Sequence, residues 1–234
     1  MLEIFASLGI ALNLIGGADP ALAAIVVLSL ELSLAATIAG AAIGLPLGAL
    51  IAVGRYPGRR TVIVLLNAML GLPSVVVGLV IYLLLSRAGP LGSLGILFTP
   101  TAIVVAQTAL VAPIIAALTR QVAEDAWNEY EEQLTSIGVT RLRAVPTILR
   151  DARFSLLTVV LAGFGRASSE VGAVMIVGGN IDGVTRVMTT AIALETSKGD
   201  LPLALALGLV LIATVLAVNA GAYAIREWSA RHHG

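Results

Sequence analysis

Arg166 and Glu170 are the residues whose types and spacing most invite a chemical role, because they are opposite charges in an otherwise apolar run. A spacing of four places both on one face of a predicted helix. At membrane depth such a charge costs several kcal/mol unless it is paired or hydrated. Ser168 and Ser169 add hydroxyl groups between them. The group is therefore predicted to be an ion pair that fixes helix packing, a polar surface along a pathway through the membrane, or both.

Several other kinds of site are excluded by composition. The chain has no cysteine, so it has no disulfide, thiolate nucleophile or cysteine-ligated metal. Its two histidines, His232 and His233, stand at the C-terminal end, which leaves none at depth for an intramembrane serine protease. No Gly-x-x-x-x-Gly-Lys-Ser/Thr phosphate loop occurs. We therefore expect no catalytic residue, no cofactor and no metal in this chain.

The composition indicates an integral membrane protein. Of 234 residues, 58% are hydrophobic and only 12% are charged, whereas soluble domains carry about 25% charged residues. The formal net charge is zero, so nucleic acid is not an implied partner. The expected fold class is an all-α protein embedded in a lipid bilayer.

Five apolar stretches are long enough to cross a bilayer, which takes about 20 helical residues. They are residues 21–54, 61–86, 98–119, 154–178 and 201–225. Pro46, Pro73 and Pro113 fall inside these spans, where neighbouring helices can satisfy the freed carbonyls. Residues 1–20 are predicted to be an interfacial segment, with a sixth crossing by residues 2–17 as the alternative.

The distribution of Arg and Lys predicts the orientation. Ten of the 14 fall on one side of the predicted spans, three fall on the other side, and Arg166 lies within a span. The side with ten is expected to be cytoplasmic. This places the N-terminus outside, the C-terminus inside, and the charged segment 120–153 in the cytoplasm.

The segment 120–153 reads as two amphipathic helices separated by Gly138. Ala126, Tyr130, Leu134 and Ile137 repeat at helical spacing on one face. Gly138 fits the position just after a helix end, where glycine is favoured. A plain solvated loop would also carry such charges.

The spacing within this segment resembles the cytoplasmic loop of binding-protein-dependent ATP-binding-cassette (ABC) importer permeases, which reads Glu-Ala-Ala, three residues, Gly, nine residues, Ile-x-Leu-Pro. Glu132, Gly138 and Ile148 match, while the alanines and the Leu-Pro are replaced. Residues 89–92 and 163–183 look like the molybdate/tungstate branch of this family. Residues 185–212 look most like its tungstate permeases.

The resemblance implies a prokaryotic inner-membrane permease domain over residues 21–234, with the fold of a type I ABC importer. It implies a second copy of this chain, two copies of a separate ATPase that holds ATP and Mg, and an extracytoplasmic oxyanion-binding protein. Residues 124–146 would couple to the ATPase. The residues expected there are Tyr130, Leu134 and Ile137 as an apolar knob, Glu132 and Arg141 as docking or bracing charges, and Gly138 at the turn.

The cargo implied by the resemblance is tungstate, with molybdate, sulfate, phosphate and vanadate as alternatives. Because affinity for the anion belongs to the external binding protein, we expect no well-defined anion cage in this chain. Residues 177–200 would form an outer connector that either meets the binding protein or only joins two spans. A secondary transporter would show internal repeats, and none is detectable. A membrane scaffold is the remaining alternative.

Overall fold

The computed structural model describes residues 20–233 together with Gly9 and Gly17. Within these residues the chain is helical and forms no β-strand. The predicted interfacial segment at residues 1–20, with its alternative as a spanning helix, lies outside the described residues except for Gly9, Gly17 and Pro20.

The helices are α1 (Pro20–Val53), α2 (Arg59–Met69), α3 (Ser74–Leu85), a 3-10 turn (Gly92–Leu94), α4 (Pro100–Ser136), α5 (Arg141–Asp151), α6 (Arg153–Ser168), α7 (Gly172–Gly178), α8 (Met188–Lys198) and α9 (Leu201–His233). By length and composition, three helices of the described chain can cross a membrane, or up to five spans result if each of two bent helix pairs counts as one. The prediction of an all-helical membrane protein with about five spans is confirmed at this level.

The predicted span 61–86 is not one helix, because the chain leaves helical geometry at residues 70–73. Before this break, the amides of Leu70, Gly71 and Leu72 bond to carbonyls three residues earlier, at 3.1–3.3 Å, which tightens the helix end. Pro73 follows, and a proline disfavours helical geometry at the preceding residue. Pro73 therefore lies at the break of a bent span, whereas Pro46 and Pro113 lie inside α1 and α4.

The predicted span 154–178 is also interrupted, at residues 169–171 between α6 and α7. Glu170 lies in the break, and its Oε1 accepts a hydrogen bond from the Ala173 amide at 3.0 Å. A carboxylate in this position satisfies a free amide of the first turn of α7 and complements the positive end of that helix. The prediction that Arg166 and Glu170 share one uninterrupted helix was wrong for this reason.

Helix α4 is longer than the bilayer requires. Its 37 residues correspond to about 55 Å at about 1.5 Å per residue, against a hydrocarbon core of about 30 Å. The first half of the predicted segment 120–153 is therefore a direct continuation of a membrane-length helix.

The chain divides into two compact units. The first unit contains residues 1–35, 74–107 and 168–234, and the second contains residues 36–73 and 108–167. The boundaries cut through α1, α4 and α6, so each unit combines sequence segments that are distant along the chain.

Within the second unit, α1 packs closely against α4 along a row of glycines. A Cβ added at Gly40 would lie 3.0 Å from a Val111 methyl, and one added at Gly48 would lie 2.4 Å from the Ala116 carbonyl oxygen. Such distances leave no room for a side chain, so the helix backbones approach each other directly, as small residues permit in membrane helices.

Within the first unit, short helices are held together by close contacts and buried hydrogen bonds. A Cβ added at Gly78 of α3 would lie 2.6 Å from the Ala173 Cα atom in α7. The amide of Met188, at the start of α8, donates to the Ser29 hydroxyl of α1 at 2.8 Å. The first unit is therefore held together by contacts at the ends of its helices as well as by contacts between helix faces.

Candidate functional site

The tip, residues 130–142 of the second unit, is the turn where α4 ends and α5 begins. Gly138 has φ +77°. Its amide donates to the Thr135 carbonyl at 3.0 Å, and the Val139 amide donates to the Leu134 carbonyl at 2.9 Å. This pair of bonds is the Schellman arrangement, which favours glycine because of its positive φ. The helix end predicted from Gly138 is thus observed.

A base cluster of buried apolar side chains lies behind the tip. It consists of Ala49, Ala52, Val53, Ala123, Trp127, Ala144, Val145 and Ile148, contributed by α1, α4 and α5. Leu134 and Val139 pack against this cluster from the tip, as the residues that flank a Schellman turn commonly do. The tip is therefore supported from behind by three helices.

Arg141 fastens the tip to its surroundings, in a group we call the clamp. Its guanidinium pairs with the Glu131 carboxylate, and its Nη1 donates to the Val53 carbonyl at 3.2 Å. The guanidinium carbon lies 4.9 Å from the centre of the Trp127 ring, within the range of a cation–π contact. Trp127 is buried. Arg141 thus makes its contacts within the chain, and its predicted role as a docking or bracing charge stays a prediction.

Arg59 completes the capping of α1. Its Nε donates to the Ile51 carbonyl at 2.9 Å, and its Nη2 donates to the Ala52 carbonyl at 3.0 Å. The last carbonyls of a helix lack partners within the helix and carry partial negative charge. Arg59 and Arg141 together donate hydrogen bonds to the carbonyls of residues 51–53 at the end of α1.

Each of two α4 carboxylates is shared by two arginines. Glu131 pairs with Arg55, at 3.2 Å, as well as with Arg141. Glu124 pairs with Arg59 at 2.9 Å and also with Arg120. The carboxylate that pairs with Arg141 is therefore Glu131, and not Glu132, which was predicted to be a docking or bracing charge.

The sequence analysis did not predict these shared ion pairs, because it used Arg55 and Arg59 only to assign the orientation of the chain in the membrane. A usable signal was nevertheless present. Three arginines follow α1 within seven residues, where a helix end needs donors. Glu124 and Glu131 are also seven residues apart, which is two helical turns and so one face of α4.

The outward side of the tip is apolar. Ile137 is 73% exposed and Leu142 is 67% exposed, one on each side of Gly138. Glu132 is also exposed, and its carboxylate forms no hydrogen bond or ion pair within the part of the chain that the structure describes. The predicted knob of Tyr130, Leu134 and Ile137 is thus divided, because Leu134 faces the base cluster while Ile137 faces outward.

Tyr130 is half-buried at the start of the tip. The negative charge of Asp151 is the main influence that raises the pKa of its phenol above the ordinary value of 10.0, followed by the charge of Glu129. Tyr130 is therefore a neutral hydrogen-bonding group at physiological pH.

The intramembrane polar residues occupy different environments. Arg166 is half-buried in the last turn of α6, and Ser168 is half-buried at its end. Ser169 is exposed and Glu170 is 3% exposed. The Glu170 carbonyl also accepts a hydrogen bond from the Thr189 hydroxyl at 2.8 Å. Glu170 thus has a structural contact on both its carboxylate and its carbonyl group.

Two cavities of the first unit each contain one arginine. One, of about 380 Å³, is lined by Ala21, Ala24, Ile25, Leu28, Asp182, Gly183 and Arg186. The other, of about 450 Å³, is lined by Tyr82, Leu85, Ser86, Arg87, Gly92, Gly95, Leu97 and Phe98. Arg186 is paired with Asp182 at 2.9 Å. Among the described residues, no cluster of three or more His, Cys, Asp or Glu residues that could hold a metal is found.

Taken together, these features define a class of protein: a helical membrane protein whose longest helix ends in a braced, outward-facing apolar tip. The chain belongs to the family of binding-protein-dependent transport system inner membrane components, whose family model matches residues 44–232. The match includes the tip and the whole base cluster. The chain is therefore the membrane permease component of such a transport system.

Relatives of known name agree with this family. The chain is 42% identical to the tungstate uptake system permease protein TupB of Peptoclostridium acidaminophilum over 93% of this chain and 95% of that protein. It is 40% identical to a probable anion ABC transporter permease protein of Haloferax volcanii over 85% and 88% of the two chains. It is 40% identical to TupB of Campylobacter jejuni over 69% and 67%.

Proposed function

We propose that this chain is the permease subunit of an ATP-driven importer for tungstate. The observation that carries the choice of cargo is its 42% identity, over nearly the full length of both chains, with a protein named as a tungstate uptake permease. Molybdate is the alternative with the most similar chemistry, since it is a tetrahedral dianion of nearly the same size. Sulfate, phosphate and vanadate are more distant alternatives, and a membrane scaffold is the least favoured.

The tip is proposed as the docking site for a separate ATPase that carries ATP and Mg. Ile137 and Leu142 offer apolar side chains to a partner, and the base cluster supports the tip from behind. An apolar helix end that enters a groove is a common mode of recognition. Glu132 stands beside this surface and is proposed as a docking charge.

The proposed assembly contains two copies of this chain, two ATPases and one external oxyanion-binding protein. The tip faces the cytoplasm, as the excess of arginine on that side indicates. In this arrangement the N-terminus is outside, the C-terminus is inside, and the protein resides in the inner membrane of a prokaryotic cell. ATP binding would draw the two tips together and so rock the helices that line the pathway between the two copies.

The proposed pathway includes Arg166, Ser168 and Ser169, which supply charge and hydroxyl groups to the apolar run. Glu170 takes no part in contacting cargo in this proposal, since its carboxylate holds the start of α7. Weak contacts suit a pathway, because an anion that is bound tightly would not be released.

The cargo is tested by purifying the permease with its ATPase and binding protein and reconstituting them in vesicles. ATP hydrolysis is measured with the binding protein loaded with tungstate, molybdate, sulfate, phosphate or vanadate in turn. We expect the strongest stimulation with tungstate. Stimulation by the binding protein of an organic cargo, with none for any oxyanion, would refute the proposed cargo class.

The docking site is tested by Gly138→Trp, with Gly138→Asn as the matched control. Asparagine tolerates a positive φ and adds little bulk, so it preserves the turn. Tryptophan places a large side chain on the face that meets the ATPase, where no described atom lies within 4 Å of the added Cβ. We expect tungstate uptake to be abolished by tryptophan and largely kept by asparagine, with normal membrane insertion of both. Normal uptake by Gly138→Trp would exclude the tip as the coupling site.

A further inference from the structure

The clamp joins two parts of the chain that are far apart in sequence. Arg141 is the first residue of α5, and the Val53 carbonyl it contacts ends α1, 88 residues earlier. By contrast, Arg59 contacts carbonyls only seven and eight residues away. Arg59 caps α1 locally and has its tertiary partner in α4, at Glu124, whereas Arg141 connects α5 to the end of α1.

The clamp also has the chemistry of a rigid joint. A guanidinium is planar and presents several donors in fixed directions, and it can stack on an aromatic ring at the same time. Arg141 uses these properties together, toward Glu131, Val53 and Trp127. Its side chain is only 25% exposed, so its ion pair is screened less by solvent than one on an open surface.

Helix α5 has one face that is exposed and one face that packs in the base cluster. Leu142 points outward, while Ala144, Val145 and Ile148 face the base cluster. A partner that presses on the outward face meets a helix whose first residue is tied to α1. Without the tie, α5 could slide over the apolar cluster, because apolar contacts are not directional.

We infer that Arg141 is a positioning residue, which makes α5 and the end of α1 move as one body when the ATPase pushes on the tip. This inference rests on the proposed function. It assigns the energetic link between docking and the membrane segment to one guanidinium. The exposed residues of the tip then provide affinity for the ATPase, and the clamp provides coupling.

The functional test compares Arg141→Gln with Arg60→Gln in the reconstituted importer. Arg60 is an exposed arginine of α2 outside the tip, so it controls for the loss of one positive charge. We expect Arg141→Gln to retain ATPase co-purification and ATP hydrolysis but to take up about tenfold less tungstate per ATP hydrolysed, a typical size for energetic coupling between sites. Arg141→Lys keeps the charge but lacks the planar fork, and its uptake per ATP hydrolysed should lie between those of Arg141→Gln and Arg60→Gln. An unchanged ratio of uptake to hydrolysis in Arg141→Gln overturns the inference.

A second test needs no ATPase, so it separates this inference from the proposed function. Because the chain has no cysteine, spin labels can be placed at Leu50→Cys in α1 and Thr147→Cys in α5, both exposed positions of the second unit. We expect Arg141→Gln to broaden the distance distribution between these labels.

The control pair for this measurement is Leu50→Cys with Asp125→Cys in α4. This pair reports on α1 and α4, which the Arg59–Glu124 ion pair joins. The distance distribution between its two labels should therefore stay narrow in Arg141→Gln. If Arg141→Gln does not broaden the distance distribution of the first label pair, the inference is overturned, whatever the result with the ATPase. Failure of the unmodified chain to bind an ATPase would instead overturn the proposed function.

Discussion

The two compact units organise their polar groups in different ways. In the second unit, carboxylates pair with arginines at the exposed end of a long helix, as in the sharing of Glu131 by Arg55 and Arg141. In the first unit, buried side chains bond to the backbone at the ends of short helices, as Glu170 does with the Ala173 amide. Both units use glycine for close helix contact.

The difference follows from the surroundings of each group. Near water an ion pair is inexpensive to form and contributes little to the free energy of unfolding, about 0–1 kcal/mol. Within the apolar segment, a broken helix leaves amides and carbonyls that have no water to bond. Buried carboxylates and hydroxyls must then serve the backbone. The comparison predicts that substitutions of polar residues destabilise the first unit more than the second.

The largest expected effect concerns the helix contact of the second unit, which is independent of charge. Gly48→Ala would place its Cβ 2.4 Å from the Ala116 carbonyl oxygen. Overpacking of this kind costs about 3 kcal/mol, measured by thermal or denaturant unfolding in detergent. Gly165→Ala is the control, since nothing lies within 4 Å of its added Cβ, and it should be neutral or slightly stabilising. Equal effects of the two substitutions would contradict the packing described for α1 and α4.

The next effect concerns the break at Glu170. Glu170→Ala removes a buried acceptor and leaves the Ala173 amide unsatisfied, which should lower the free energy of unfolding by about 2 kcal/mol. Glu170→Gln keeps an acceptor oxygen and should cost less. Glu132→Ala, which removes an exposed carboxylate, should change stability by less than about 0.5 kcal/mol. A loss from Glu132→Ala as large as that from Glu170→Ala would remove the distinction between the units.

A similar but smaller effect is expected at Thr185, which is fully buried in the first unit. Its hydroxyl donates to the Gly178 carbonyl at 2.6 Å and accepts from the Ile181 amide at 2.9 Å. Thr185→Val keeps the shape of the side chain but removes both bonds, and should cost about 1.5 kcal/mol. Thr61→Val at an exposed site of α2 is the control. If unfolding shows no difference between them, the hydroxyl does not hold this turn.

The smallest effect is electrostatic and lies in the tip. Because the folded-state pKa of Tyr130 is raised above 10.0, the folded protein keeps this proton longer than the unfolded chain does. Stability is then unaffected below pH 10.0 and falls as the pH rises above it. Asp151→Asn removes the main cause and should lower the pKa of Tyr130. An absorbance titration, with Tyr130→Phe to identify the signal, measures this change, and an unchanged midpoint would contradict the assignment.

Local sequence signals predicted much of the fold. Apolar length indicated the membrane helices, and Gly138 marked the end of α4, because these features depend on a few neighbouring residues. The interruption at residues 70–73 was also readable in principle, since Pro73 restricts the residue before it. The interruption at residues 169–171 was not, because no proline marks it and one of the bonds at this break comes from the Thr189 hydroxyl, 19 residues further along the chain.

The candidate site was predicted in outline but not in detail. The spacing of Glu132, Gly138 and Ile148 identified the segment, yet the carboxylate that pairs with Arg141 is Glu131. A motif fixes residues along the chain, whereas the face each one presents depends on how the helix is rotated in its packing. The contact of Arg141 with the end of α1 spans 88 residues, so no local pattern reveals it.

The most direct test of the central claim is site-specific photo-cross-linking from the tip in the assembled importer. The absence of native cysteine allows a thiol-attached photoreactive group to be placed at Ile137→Cys or Leu142→Cys, with Ser93→Cys, an exposed site in the first unit, as the control. Illumination should join the ATPase to the first two variants and not to the control. Absence of an ATPase adduct from both tip positions, or an equal yield from Ser93→Cys, would contradict the account.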